Sequence, residues 1–139
     1  MADPPYRAAH ILEILTPAGA DAGEAPWRAV RMAFGIGSFG ISAYVAESAG
    51  DVLTSEHDEI EESGTRHEEL FFVASGHATF TVAGETIEAP AGTFVHVRDP
   101  GLVRGATARD PGTTLLAVGG EPGKPYEISP WERKYVGRG

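Results

Sequence analysis

HEELFFVASGHATFTVAGETIEAPAG, residues 67–92, decides how this chain folds. Read at a period of two, it breaks into short runs rich in Phe, Val, Thr and Ile, each bounded by glycine or proline. Strands are predicted over 68–74 and 78–82, with a turn at Ser75-Gly76 between them. A second turn at Ala83-Gly84 leads into a strand over 85–89, and the corner Pro90-Ala91-Gly92 leads into another over 93–97. Antiparallel strands joined by tight turns make a meander, so the residues alone support a small all-β barrel or sandwich.

The pattern continues on both sides. Residues 27–34 alternate, with Trp27, Ala29, Arg31 and Ala33 on one face, and further strands are predicted over 41–46, 52–58, 103–108 and 113–118. Asp-Pro-Gly turns at 99–101 and 110–112 bound the last two. The Gly-rich stretch 35–40 lacks the Lys-Ser/Thr of a phosphate loop and precedes a strand pattern, so it reads as a turn. Residues 59–66 form an acidic loop, the kind of run that usually faces solvent. A single barrel domain over 27–119 is then flanked by an N-terminal arm, 1–26, and a Gly/Pro-rich tail, 120–139. Within the arm, 8–15 fits a helix and a strand equally well. The tail is expected to be extended, with Tyr126 and Trp131 packed on the barrel, because an exposed Trp gains nothing there.

At 139 residues the chain can bury a core as one domain. It has no cysteine, which excludes disulfides, thiol catalysis and thiolate metal sites. No apolar run approaches membrane-spanning length and no leader pattern is visible, so neither a membrane nor an export route is expected, and a cytoplasmic location is. The net charge of −9 argues against nucleic acid as a partner. Gly-x-Ser-x-Gly is absent, which leaves nucleophilic serine chemistry without support.

The central stretch resembles the cupin superfamily. Glu69 and Gly76 match the end of the first cupin motif; Gly84, Pro90 and Gly92 match the start of the second. The resemblance implies a double-stranded β-helix, a squat jelly-roll barrel, with any site in its mouth. It also implies a homodimer, since small cupins often pair through sheet edges. Metal-binding members carry a His-x-His pair, the Glu, and a later second-motif His. Here His57 stands near the first His position, but Glu59 occupies the partner position and nine residues separate it from Glu69. His67 lies two residues before Glu69 and so shares its strand face. The second-motif His position falls on Val95, with His96 one residue off and facing the other way. In members with a longer gap that position falls on Arg104.

Two functional readings follow. In one, His57, Glu59, His67 and Glu69 hold a single divalent ion of Fe, Mn, Ni or Zn, a donor mix suited to such ions. In the other, no metal is present and an anionic small molecule pairs with Arg104 and Arg31. His57 or His67 then acts as the acid–base group, and Tyr44, Phe71 and Phe80 form apolar walls. Either way the ligand is a small organic molecule, in the isomerase, cyclase or oxygenase range or in a non-catalytic sensor. The alternative to both is that Glu69 is no more than a partner for a barrel cation, and Phe71 and Phe80 no more than core.

Overall fold

The computed structural model describes residues 4–60 and 65–135. Part of the acidic loop, 61–64, and the outermost residues of the arm and tail lie outside these. The chain forms one domain of two antiparallel sheets. In order, its elements are β1 (Trp27–Arg28), α1 (Val30–Phe34), β2 (Gly40–Val45), β3 (Val52–His57), β4 (Glu68–Ser75), β5 (His77–Val82), β6 (Glu85–Pro90), β7 (Phe94–Val97), β8 (Arg104–Ala108), β9 (Thr114–Gly120) and α2 (Pro130–Arg133). One sheet runs β1-β2-β9-β4-β7 and the other β3-β8-β5-β6. Among the described residues, no helix is long and apolar enough to cross a membrane.

The predicted meander is present as β4 to β7, with ends moved by a residue. Period-two alternation sends Phe71, Val73, Val95 and Val97 inward from one sheet to meet Ala78, Phe80, Ala89 and Ala106 from the other. His96 faces outward, as its parity requires, and its Nε2 lies 2.6 Å from Glu68 Oε2.

Two elements differ from the expectation. Residues 27–34 are not one strand: only Trp27 and Arg28 pair with β2, and Val30–Phe34 forms a turn and a half of helix. Arg, Met and Ala in its interior favour helix over strand. Gly35 ends it with φ +69, donating its N–H to the carbonyls of Arg31 and Met32. The tail is not wholly extended, because Pro130 opens α2, where its missing N–H costs nothing.

Gly76 shows why the β4–β5 turn needs glycine. Its φ is +75, and a Cβ there would lie 2.7 Å from Thr113 Cα and closer still to Thr113 Oγ1. Thr113 cannot retreat: it is fully buried, and its hydroxyl accepts from His77 N at 3.1 Å while lying 2.7 Å from the Asp110 carbonyl. Gly76→Ala is therefore expected to lose about 2–4 kcal/mol in urea unfolding, combining left-handed strain with steric intrusion. Gly84→Ala is the control: φ is +81 but a Cβ would meet nothing, so only the backbone strain of about 1–2 kcal/mol should appear.

Candidate functional site

His57 ends β3 directly opposite Arg104 of β8, after a register shift that turns the strand's last residues toward the barrel mouth. Glu69 is the second residue of β4 and pairs with Gly119 of β9 and Val97 of β7. Glu59 follows β3 and is tethered twice by its backbone. Its N–H donates to the Pro100 carbonyl at 2.8 Å and its carbonyl accepts from Arg66 N at 2.7 Å. The second bond returns the chain to its point of departure, which is how an acidic excursion can leave Glu59 beside Glu69.

His57 Nε2 lies 3.4 Å from Glu59 Oε1 and 3.6 Å from Glu69 Oε1. One donor atom from each of the three residues falls within 4.8 Å of the others. Each side chain is held by a further partner, His57 and Glu59 through the atom turned away from the group and Glu69 through the same Oε1 that faces His57. His57 Nδ1 lies 2.8 Å from the Ser55 carbonyl, so Nδ1 carries the hydrogen and Nε2 faces the carboxylates. Thr65 Oγ1 donates to Glu59 Oε2 at 3.3 Å, and Arg104 Nη1 donates to Glu69 Oε1 at 2.6 Å. Burial works against a charged His57, but the hydrogen bonds to Glu59 and Glu69 outweigh it and raise its pKa to about 10. Imidazole nitrogen, two carboxylates and outer-shell support fit a divalent ion. The group could hold a metal.

These residues stand in the wall of a cavity of about 470 Å³ at the barrel mouth. Tyr44 lines it, and burial together with the charge of Glu69 pushes its phenol above the usual range, so it stays a hydrogen-bond donor. The C-terminal segment supplies the outer wall. Trp131 meets Trp27 edge-on at 4.6 Å, Tyr135 lies 5.6 Å from Trp27, and Tyr126 stacks on His67 at 5.2 Å.

The other site residues read from the sequence lie elsewhere. Arg104 has no exposed surface and does not line the cavity. Its Nε donates to the Leu102 carbonyl at 2.8 Å and its Nη2 to the Asp99 carbonyl at 3.1 Å, so it braces Glu69 and cannot meet a ligand. Arg31 lies in α1, buried, with Nε 2.6 Å from Glu132 Oε1, and so is also spent internally. Phe71 and Phe80 pack edge-on at 5.4 Å in the sealed core and form no wall of the cavity. His67 lines the cavity, but outside the group made by His57, Glu59 and Glu69. The aromatic wall of Trp27, Trp131 and Tyr135 is absent from the ligand-contact residues read from the sequence.

No protein-family model matches the chain, and no curated protein does. Solved structures do match. A cupin protein from Bacteroides fragilis aligns with a TM-score of 0.63 at 17% identity, over 91% of this chain and 92% of its own. The fold is that of a cupin. A Klebsiella pneumoniae protein with a double-stranded β-helix domain is similar at TM-score 0.62 and 19% identity, covering 89% and 96% of the two chains. Streptomyces PAC13, solved with uridine, aligns at 0.56 and 13% over 82% and 81%. Set against the cupin motifs, this chain has Glu59 where the second imidazole of the His pair would stand, and either core Val95 or brace Arg104 at the second-motif position. The group that could hold a metal is therefore one imidazole and two carboxylates.

Proposed function

We propose that the protein is a divalent-metal cupin that binds a small organic molecule in the barrel mouth beside the ion. One observation carries this: His57, Glu59 and Glu69 converge on the cavity, and each is fixed by a further hydrogen bond, Glu69 through the same Oε1 that faces His57. Three protein donors leave coordination positions for a ligand, the arrangement of a reactive centre and not of a closed structural one. When bound, the ion supplies Lewis acidity to a ligand oxygen, which serves isomerase, cyclase and oxygenase chemistry alike. Tyr44 supplies a neutral donor on the same wall, and the edge-on Trp27–Trp131 pair gives an aromatic surface against which a ring can pack. The PAC13 neighbour's uridine supports a small ring-bearing molecule in this fold.

A metal-free reading has its own observation. Arg104 already neutralises Glu69, and a protonated His57 sits between the two carboxylates, so the charges balance with no ion.

Elemental analysis of the protein before and after dialysis against Fe(II), Mn(II), Ni(II) and Zn(II) separates the two. About one ion per chain is expected for the wild type. His57→Ala should reduce occupancy by about tenfold or more. A wild type that stays metal-free after reconstitution leaves only the charge-balanced binding site.

A further inference from the structure

Neither arginine that could have met an anionic ligand is free: Arg31 pairs with Glu132 and Arg104 with Glu69. The cavity wall otherwise carries Glu24, Glu59, Glu69 and Glu132 against Lys134. Glu69 and Glu132 are those arginines' own partners, so the wall turns no guanidinium toward an anionic ligand.

His67 is a different kind of group. It is only 5% exposed, yet it lines the cavity. Tyr126 stacks on it at an interplanar angle of 29°, which covers a face of the ring and leaves its nitrogen-bearing edge. Among the described residues, neither ring nitrogen has a hydrogen-bond partner. Among the described residues, Arg28 Nε is the only side-chain nitrogen or oxygen both sealed off and unpartnered, so the His67 nitrogens open onto the cavity. Their position is built for. Gly40 and Gly119 are cross-strand partners in β2 and β9. A Cβ at Gly40 would lie 2.8 Å from the Tyr126 hydroxyl, and one at Gly119 would lie 3.0 Å from the Glu68 carbonyl oxygen. Gly40 keeps open the notch that seats Tyr126 on His67, and Gly119 lets β4 run close to β9 beside it. Burying an imidazole that bonds to no protein group costs stability. The same arrangement leaves the ring nitrogens turned toward whatever enters the cavity.

We propose that His67 is the hydrogen-bonding residue for the cavity's ligand, and that this ligand is a neutral, ring-bearing molecule rich in hydroxyl or amide groups, of nucleoside or glycoside type. This rests on the cavity being a small-molecule site. The two ring nitrogens of an imidazole match the hydrogen-bonding groups of a hydroxyl or an imide, and the aromatic wall takes the ring.

The test titrates the protein, metal-free and metal-loaded, with uridine, uridine monophosphate, methyl glucoside and glucuronate; the metal-free arm decides the charge preference, since a bound ion would itself draw phosphate and carboxylate. Binding is read by calorimetry and by intrinsic fluorescence, since the chain's two tryptophans, Trp27 and Trp131, both stand in the cavity wall. The neutral member of one pair should bind, and its charged counterpart should bind about tenfold more weakly. Whether that pair is the nucleoside or the glycoside identifies the source. His67→Phe keeps a ring against Tyr126 and should melt at or above the wild-type temperature while losing about tenfold in affinity; His67→Gln should recover part of it. A His67→Phe protein that melts well below the wild type shows a structural imidazole and overturns the assignment, as does unchanged affinity. Tighter binding of the charged members overturns the neutral class and leaves the cavity a small-molecule site. Binding of none of the four removes this inference and the small-molecule reading together, while the metal centre is decided separately by elemental analysis.

Discussion

Arg104→Ala is expected to lower stability by about 3–5 kcal/mol, because it leaves a largely buried carboxylate without its partner. The side chain is fully buried, and its guanidinium serves three acceptors: Glu69 Oε1 at 2.6 Å and the carbonyls of Leu102 and Asp99 at 2.8 and 3.1 Å. Removing it strands all three and opens a void under β8. Total stabilities of about 5–15 kcal/mol make such a loss a large share of the whole. Arg104→Lys should recover little, since a single ammonium on a flexible stem cannot reach acceptors that diverge as these do. Arg104→Met should lie between, filling the volume but leaving Glu69 against an apolar neighbour. Urea unfolding of the three variants gives the ranking. A near-neutral Arg104→Ala would show that water can replace the guanidinium and that Glu69 needs no brace. The sequence alone offers Arg104 to an anionic ligand, and on that basis the same variant would lose binding and keep its stability.

The difference between those outcomes shows what the sequence can carry. The meander is legible because alternation and turn glycines act over a few residues, and Gly76, Gly84 and Gly92 all have the positive φ that their motif positions suggest. Face parity is legible for the same reason: His96 points outward and Val95 inward. Depth along the barrel axis is not legible. Arg104 and Glu69 share an inner face, but only packing decides that the arginine lies beneath the carboxylate and so out of a ligand's reach. The outer wall is harder still. It depends on Glu132 reaching Arg31, 101 residues away in the chain, and on Trp131 reaching Trp27, and no local pattern records either contact. Val30–Phe34 is misread as strand because five residues are too few for a helical period to show against an alternating one. Glu59 lies between these cases: its spacing to Glu69 suggests an insertion, but only the Arg66–Glu59 backbone bond shows where the inserted residues rejoin.

Binding of a divalent ion is expected to release about one proton per chain, and its apparent affinity to rise about tenfold per pH unit between about pH 6 and pH 9. The reason is His57. In the metal-free protein its pKa is raised to about 10, so at neutral pH a proton occupies the Nε2 position that an ion needs. Each pH unit below that value lowers the deprotonated fraction able to take the ion by about tenfold. The same shift acts on folding with a definite sign. The folded-state pKa lies above the ordinary 6.5, so the His57 contribution to stability is fully present below pH 6.5 and is lost as pH rises through about 10. Metal-free protein should therefore weaken toward alkaline pH. Metal-loaded protein should not, because the ion then holds the two carboxylates in the proton's place. Calorimetry in buffers of different ionisation enthalpy counts the proton, and melting with and without Zn(II) across the range follows stability. His57→Gln should abolish both the affinity slope and the alkaline loss. Tight metal binding with no pH slope would place the ion away from His57. Alkaline weakening that persists unchanged in the presence of Zn(II) would favour the charge-balanced, metal-free site, in which the proton between Glu59 and Glu69 is the permanent occupant.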